Sequence, residues 1–128
     1  MRYLDPTPES ARGSIALGLQ AGDFVFVSGQ VGMSPSGQLV GEGDAGAQSR
    51  QALRNVETIL AEAGAGLGDV VQAIVYLTDI SYFADFDAAW RELMDGHRPT
   101  RAIVEAGLAW DKLLVEVQAV AYVGKDAD

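Results

Sequence analysis

The sequence contains no cysteine, so disulfide bonds, thiolate catalysis and metal sites with cysteine ligands are all excluded. It has a single histidine, His97, and its carboxylates follow no metal-binding spacing motif. These features rule out a site with several histidine ligands and leave only a site made of carboxylates alone, for which the sequence has no motif, so we expect no metal.

Long hydrophobic runs are also missing. No apolar stretch approaches the roughly 20 residues that a helix needs to cross a bilayer. Residues 1–12 lack the hydrophobic region of a signal peptide. These features predict a cytoplasmic protein that does not associate with membranes.

Positive charge is scarce, because 9 Lys and Arg residues stand against 18 Asp and Glu residues, for a net charge of -9. The basic residues are scattered along the sequence rather than grouped. Such a chain repels a phosphate backbone, so nucleic acid is not an expected partner.

The length of 128 residues predicts one domain over residues 1–128, with residues 1–12 as a loosely ordered lead-in. Asp44 is predicted to cap a helix that runs to about Ala63. Aromatic and apolar residues at helical spacing predict a second helix with a buried stripe of Phe83, Phe86, Trp90, Leu93 and Met94. Strands are predicted at residues 15–20, 24–28, 70–77, 100–105 and 114–123.

This order of elements predicts an α+β domain in which both helices cover one face of one sheet. The other face would stay uncovered within the chain. Because such a mixed polar and apolar face suits a subunit interface, we expect a homo-oligomer. On the last strand that face carries Glu116, Gln118, Val120 and Tyr122.

Several segments in unbroken order carry a family resemblance across roughly residues 18–123. They are Ser28-Gly29-Gln30, residues 51–56, residues 68–71, Arg98-Pro99-Thr100-Arg101 and residues 115–121. Together they resemble the RidA family, also called YjgF/YER057c/UK114. The resemblance implies a chorismate-mutase-like fold and a homotrimer with clefts between subunits. It also implies hydrolytic deamination of enamine/imine intermediates that carry a carboxylate, which gives a 2-keto acid and ammonia without a cofactor.

The same resemblance implies the site residues. The arginine that binds the substrate carboxylate falls on Arg101, and the glutamate that places the hydrolytic water falls on Glu116. Gly29 matches a glycine that lines the cleft, and we expect the hydroxyl of Ser28 to form a hydrogen bond in or near that cleft.

Three positions depart from the family pattern. A cleft tyrosine meets Ile15, a cleft cysteine meets Ile103, and an asparagine on the second helix meets Asp87. The two isoleucines would make the cleft more apolar, so we expect them to contact a substrate with more hydrocarbon than a two- or three-carbon imine, such as a larger unsaturated amino compound.

Each candidate also has a simpler interpretation. A guanidinium binds a carboxylate through two parallel hydrogen bonds, but Arg101 could equally form a surface or interface salt bridge. Glu116 could move a proton for water or form an ion pair between chains. His97 could be a general base, although a cation at a helix C-terminus is the more common role. The alternative function is a non-catalytic homotrimer that binds carboxylate metabolites or a partner protein.

Overall fold

Residues 1–124, which the computed structural model describes, form one sheet of six strands and two helices. The α+β prediction is therefore confirmed. In chain order the elements are β1 (Arg2–Leu4), β2 (Gly18–Ala21), β3 (Phe24–Val31), α1 (Ala45–Ala61), β4 (Val70–Leu77), α2 (Phe83–Met94), β5 (Thr100–Glu105) and β6 (Val115–Tyr122). The strands lie in the order β1-β2-β3-β6-β4-β5. Only the β4–β5 pair is parallel within this range, and β5 is an edge strand.

Both helices cover the same face of the sheet, as predicted. Alternate residues of the central strands point towards the helices, because successive side chains in a strand face opposite sides. Apolar side chains from α1 and α2 meet them in one buried cluster that includes Val25, Val75, Val117, Leu53, Leu60 and Phe86.

The predicted helix start is also confirmed. The Asp44 side chain accepts a hydrogen bond from the backbone N–H of Ala47 at 3.0 Å, so it caps α1. The helix ends at Ala61, two residues before the predicted end.

The N-terminal prediction is wrong in two places. Residues 2–4 are not loosely ordered but form β1, which pairs antiparallel with β2. A strand of three residues is too short to show a period in sequence, and only its distant partner reveals it. The predicted strand at residues 15–20 begins at Gly18 instead; the backbone N–H of Ser28 still donates to the carbonyl of Leu17, but the carbonyl of Ala16 accepts from the Ser28 hydroxyl rather than from a backbone N–H.

A buried polar side chain joins two loops, the β3–α1 loop and the β5–β6 loop, to α1. Gln48 is fully buried, and its amide donates to the carbonyls of Gly41 and Lys112, both at 3.1 Å. Its carbonyl accepts from the N–H of Leu114 at 2.9 Å. Since a buried polar group is costly unless paired, this network fixes the approach to β6, which carries Glu116.

We predict that Gln48→Ala lowers the free energy of unfolding by about 3 kcal/mol, from three lost hydrogen bonds and the groups left unpaired. Urea unfolding followed by circular dichroism measures the change. The exposed Gln38 is the matched control, and Gln38→Ala should change stability by less than about 0.5 kcal/mol. Equal effects of the two substitutions would contradict the role of the network.

Candidate active site

Arg101 lies on edge strand β5 and points to the helix-covered side of the sheet. It stands beside Ala73 in the parallel pairing with β4, and Ala73 is buried under the helices. Residues that pair directly share a face, so the guanidinium is directed at α2. There Nη1 donates to Oδ1 of Asp87 at 2.8 Å, the only hydrogen bond that this side chain makes within residues 1–124. The other edge of the guanidinium fork is free of protein partners in that range.

Aromatic rings surround the same guanidinium. Its central carbon lies 4.9 Å from the ring centre of Trp90, 5.5 Å from that of Phe83 and 5.7 Å from that of Phe86. The predicted apolar stripe is core at Phe86, Trp90 and Met94, but its ring faces also hold a cation. Sequence spacing could not separate these roles, because both require aromatic residues on the inner side of α2.

Asp87 holds two arginines at once. Its carboxylate accepts from Arg101 and, through Oδ2, from Nε of Arg91 at 2.9 Å. These hydrogen bonds, first from Arg101 and then from Arg91, lower the pKa of Asp87 below its usual value. Asp87 therefore stays ionised throughout the neutral range, and Arg101 always has one carboxylate partner.

A cavity of about 610 Å³ opens beside this pair. It lies between the second half of α2, the loop that follows it and the start of β5. Arg91, Arg98 and Arg101, which lie within 11 consecutive residues, meet here, and the sequence analysis missed this group. His97 also lines the cavity, and its Nε2 lies 2.6 Å from the carbonyl oxygen of Val70 at the start of β4 rather than against the end of α2. The lining residues are Asp87, Trp90, Arg91, Met94, Gly96, His97, Arg98, Pro99 and Arg101.

Glu116 lies on the uncovered face of the sheet, as its position in β6 predicted. It pairs with Val31 of β3 and Tyr76 of β4. The β3–β6 ladder shifts register between Val27 and Gln30, and Gly29 lies in this bulge. A Cβ atom on Gly29 would lie only 2.5 Å from Oε2 of Glu116, so the glycine leaves room for the carboxylate.

Ser28 joins this region to the loop that carries Ile15. Its hydroxyl donates to the carbonyl of Ala16 at 2.7 Å, and its N–H donates to the carbonyl of Leu17 at 2.8 Å. The hydroxyl is therefore used within the chain. Ile15 is 63% exposed and projects from the same loop. Ser28 therefore connects the strand that carries Gly29 to the loop of Ile15, whose side chain is largely uncovered by residues 1–124.

The chain does not bring Arg101 and Glu116 together. Their strands, β5 and β6, are separated by β4, about 10 Å at the usual strand spacing. The two side chains also point to opposite faces of the sheet. Ile103, two residues after Arg101, lies on the arginine's side and is half-buried against the core rather than in the cavity.

The described residues include no group of three or more His, Asp or Glu side chains that could hold a metal ion. Among them, no helix is both long and apolar enough to span a bilayer.

The fold and this arginine-bearing edge strand define a small α+β protein of a known class. The sequence model described as Endoribonuclease L-PSP matches residues 8–123. A RutC family protein from Pyrococcus abyssi is 34% identical over 110 residues, which cover 86% of this chain and 87% of that protein. The chain therefore belongs to the RidA/YjgF family, as its sequence predicted.

Solved structures agree with this assignment. The structure of Escherichia coli TdcF with bound serine has a TM-score of 0.85 at 29% identity and covers 95% of this chain and 98% of that one. RidA from the Antarctic bacterium Psychrobacter has a TM-score of 0.80 at 32% identity, with coverage of 88% and 90%. The similarity extends over both regions described above.

We predict that Gly29→Ala moves the Glu116 carboxylate while the protein stays folded, because the added methyl group meets the end of a movable side chain. A crystal structure of the variant should show Glu116 in a new rotamer. The control is Gly107→Ala, where an added Cβ meets nothing within 4 Å. If Glu116 keeps its position and the bulge shifts instead, the backbone rather than the side chain accommodates the methyl group.

Proposed function

We propose that the protein hydrolyses enamine/imine intermediates that carry a carboxylate, and releases a 2-keto acid and ammonia. The observation that carries the proposal is Arg101, whose guanidinium is held by Asp87 along one edge and by Trp90 on one face. A guanidinium fixed in this way needs no further ordering to bind a substrate carboxylate along its free edge.

The reaction needs one positioned water and a group that moves protons. Water adds to the carbon of the protonated C=N bond and loses a proton to Glu116, which gives a carbinolamine. That proton is returned to the nitrogen, and the C–N bond breaks with its electron pair on nitrogen. The carbinolamine hydroxyl loses its proton to Glu116 as its oxygen becomes the keto group, and this proton replaces the one that activated the imine. The sum is one imine and one water consumed, one keto acid and one ammonia formed.

Arg101 and Glu116 lie on opposite faces of the sheet, so this mechanism requires the site to form between two copies of the chain. A homotrimer satisfies the requirement if the edge strand of each subunit approaches the uncovered face of the next. The exposed apolar rings on that face support such an interface, since Phe24 is 43% exposed and Phe26 is 47% exposed.

Family membership agrees with a carboxylate ligand. Escherichia coli TdcF, with the same fold, binds serine, a small molecule with an α-carboxylate. The ribonuclease activity in the description of the family model finds less support here, because a net charge of -9 opposes RNA binding.

Arg101→Ala should lower kcat/KM by roughly 100-fold, since a charge-assisted contact with the substrate is lost. Arg101→Lys should restore little of this, because an ammonium lacks the planar fork. Decay of imines generated by an amino-acid oxidase measures the rates, with Arg54→Gln on α1 as the control. If Arg101→Ala unfolds or dissociates the protein, Arg101 is a structural salt bridge. If wild type accelerates no imine, the protein is a binder rather than a deaminase.

Mixing two inactive variants tests whether the site lies between subunits. Arg101→Ala and Glu116→Gln should each be nearly inactive alone, the second by roughly 100-fold in kcat. Co-expressed in equal amounts, they should recover about one quarter of wild-type activity, because that share of interfaces in a random trimer carries both native residues.

The control is a mixture of the same proteins purified and combined without subunit exchange, which should stay inactive. Light scattering should find three 13.5 kDa subunits in wild type and both variants. No recovery in hybrids that mass spectrometry shows to be mixed would contradict a shared site.

A further inference from the structure

We infer that the cavity between α2 and β5 binds a second carboxylate, so that the preferred ligand is a diacid with a hydrocarbon chain between its acidic groups. The inference rests on the proposed function only in assigning the α-carboxylate to Arg101. It concerns the distal end of the ligand, which the mechanism does not use.

Arg98 provides the first argument. Every other arginine within residues 1–124 has an acidic or carbonyl partner for its side chain, whereas Arg98 has none in that range. In a chain with twice as many acidic as basic residues, a free guanidinium is unexpected for a surface residue. Arg98 also lines the largest cavity described, together with Arg101.

The spacing of the two arginines fits one elongated ligand. Arg98 precedes Pro99, and a residue before proline favours extended backbone. Arg98 lies two residues before β5 begins, so strand alternation does not fix its face, and its Cα atom is at most about 10 Å from that of Arg101, the rise of a fully extended segment. With both side chains on one cavity, two carboxylates separated by a few carbons can each reach one guanidinium.

The cavity walls provide the third argument. Trp90, Met94 and Pro99 give the same cavity apolar walls. The volume of about 610 Å³ is far larger than a three-carbon imine requires and lies within the usual range for small-molecule sites. Arg91 also lines the cavity, but its Nε already donates to Asp87, whereas no side-chain nitrogen of Arg98 has a partner within residues 1–124.

Binding of stable 2-keto acids to the native protein tests the inference without any reaction. The probes are 2-ketoglutarate, its 5-amide and 2-ketohexanoate, which present a charged, a neutral polar and an apolar distal end. Isothermal titration calorimetry should show the diacid bound about three- to tenfold more tightly than the amide, as expected for one exposed ionic contact. In Arg98→Gln this preference should disappear, whereas it should persist in Arg54→Gln, whose arginine pairs with Glu57 away from the cavity.

Equal affinity of wild type for diacid and amide overturns the inference, as does a preference that survives Arg98→Gln or a failure of all three keto acids to bind. The proposed deaminase is tested separately by imine decay. Selective diacid binding without imine hydrolysis would support the cavity and reject the deaminase. Imine hydrolysis with no preference between glutamate- and glutamine-derived imines would do the reverse.

Discussion

The alternation of side chains along a β-strand determines which polar side chains of this sheet can lie in the same site. Two side chains on one sheet share a site only when their strands place them on the same face. Arg101 pairs directly with the buried Ala73, so its side chain lies under α2. Glu116 is one of the alternate residues of β6 whose side chains point to the uncovered face. A slip of one residue in β6 would reverse the face of Glu116, but it would also expose the core residues Val115 and Val117. A slip in β5 would turn Ile103 away from the core. The core therefore keeps Arg101 and Glu116 on opposite faces of the sheet. The proposed mechanism needs both side chains, so it depends on the assembly of subunits.

The environment of Arg101 explains how a charged group is kept ready in a half-buried position. Asp87 neutralises it, and the ring of Trp90 covers one face, so the cost of removing the guanidinium from water is offset before any ligand arrives. An asparagine, which the family resemblance implies at this position, would orient the guanidinium without neutralising it. Asp87 thus weakens the long-range attraction of Arg101 for anions but holds the guanidinium in one orientation. Under the proposed function, contacts along the free edge of the guanidinium would then select the ligand.

The sequence predicted elements best where local signals sufficed. Residues 70–77 and 100–105 were predicted as the strands that the structure contains, and Asp44 is the cap of α1. The face of Glu116 followed from alternation within β6 alone. The face of Arg101 could not be predicted, because it depends on a parallel register with β4 that no local pattern records. β1 was missed for the same reason, since its partner lies about 16 residues away along the chain.

The strong negative charge and a cavity rich in arginine fit together physically. At physiological salt, charges beyond about 8 Å are largely screened, so the net charge of -9 acts on a large polyanion that must meet a wide surface, more than on a small acid inside the cavity. There, the nearest charges are Arg98 and Arg101, with Asp87 already occupied by two guanidinium groups. A small carboxylate therefore meets a positive local field on a negative protein. The charge distribution that opposes RNA is therefore compatible with the small anionic ligand proposed above, because Arg98 and Arg101, which line the cavity, are neighbours both in sequence and in the fold.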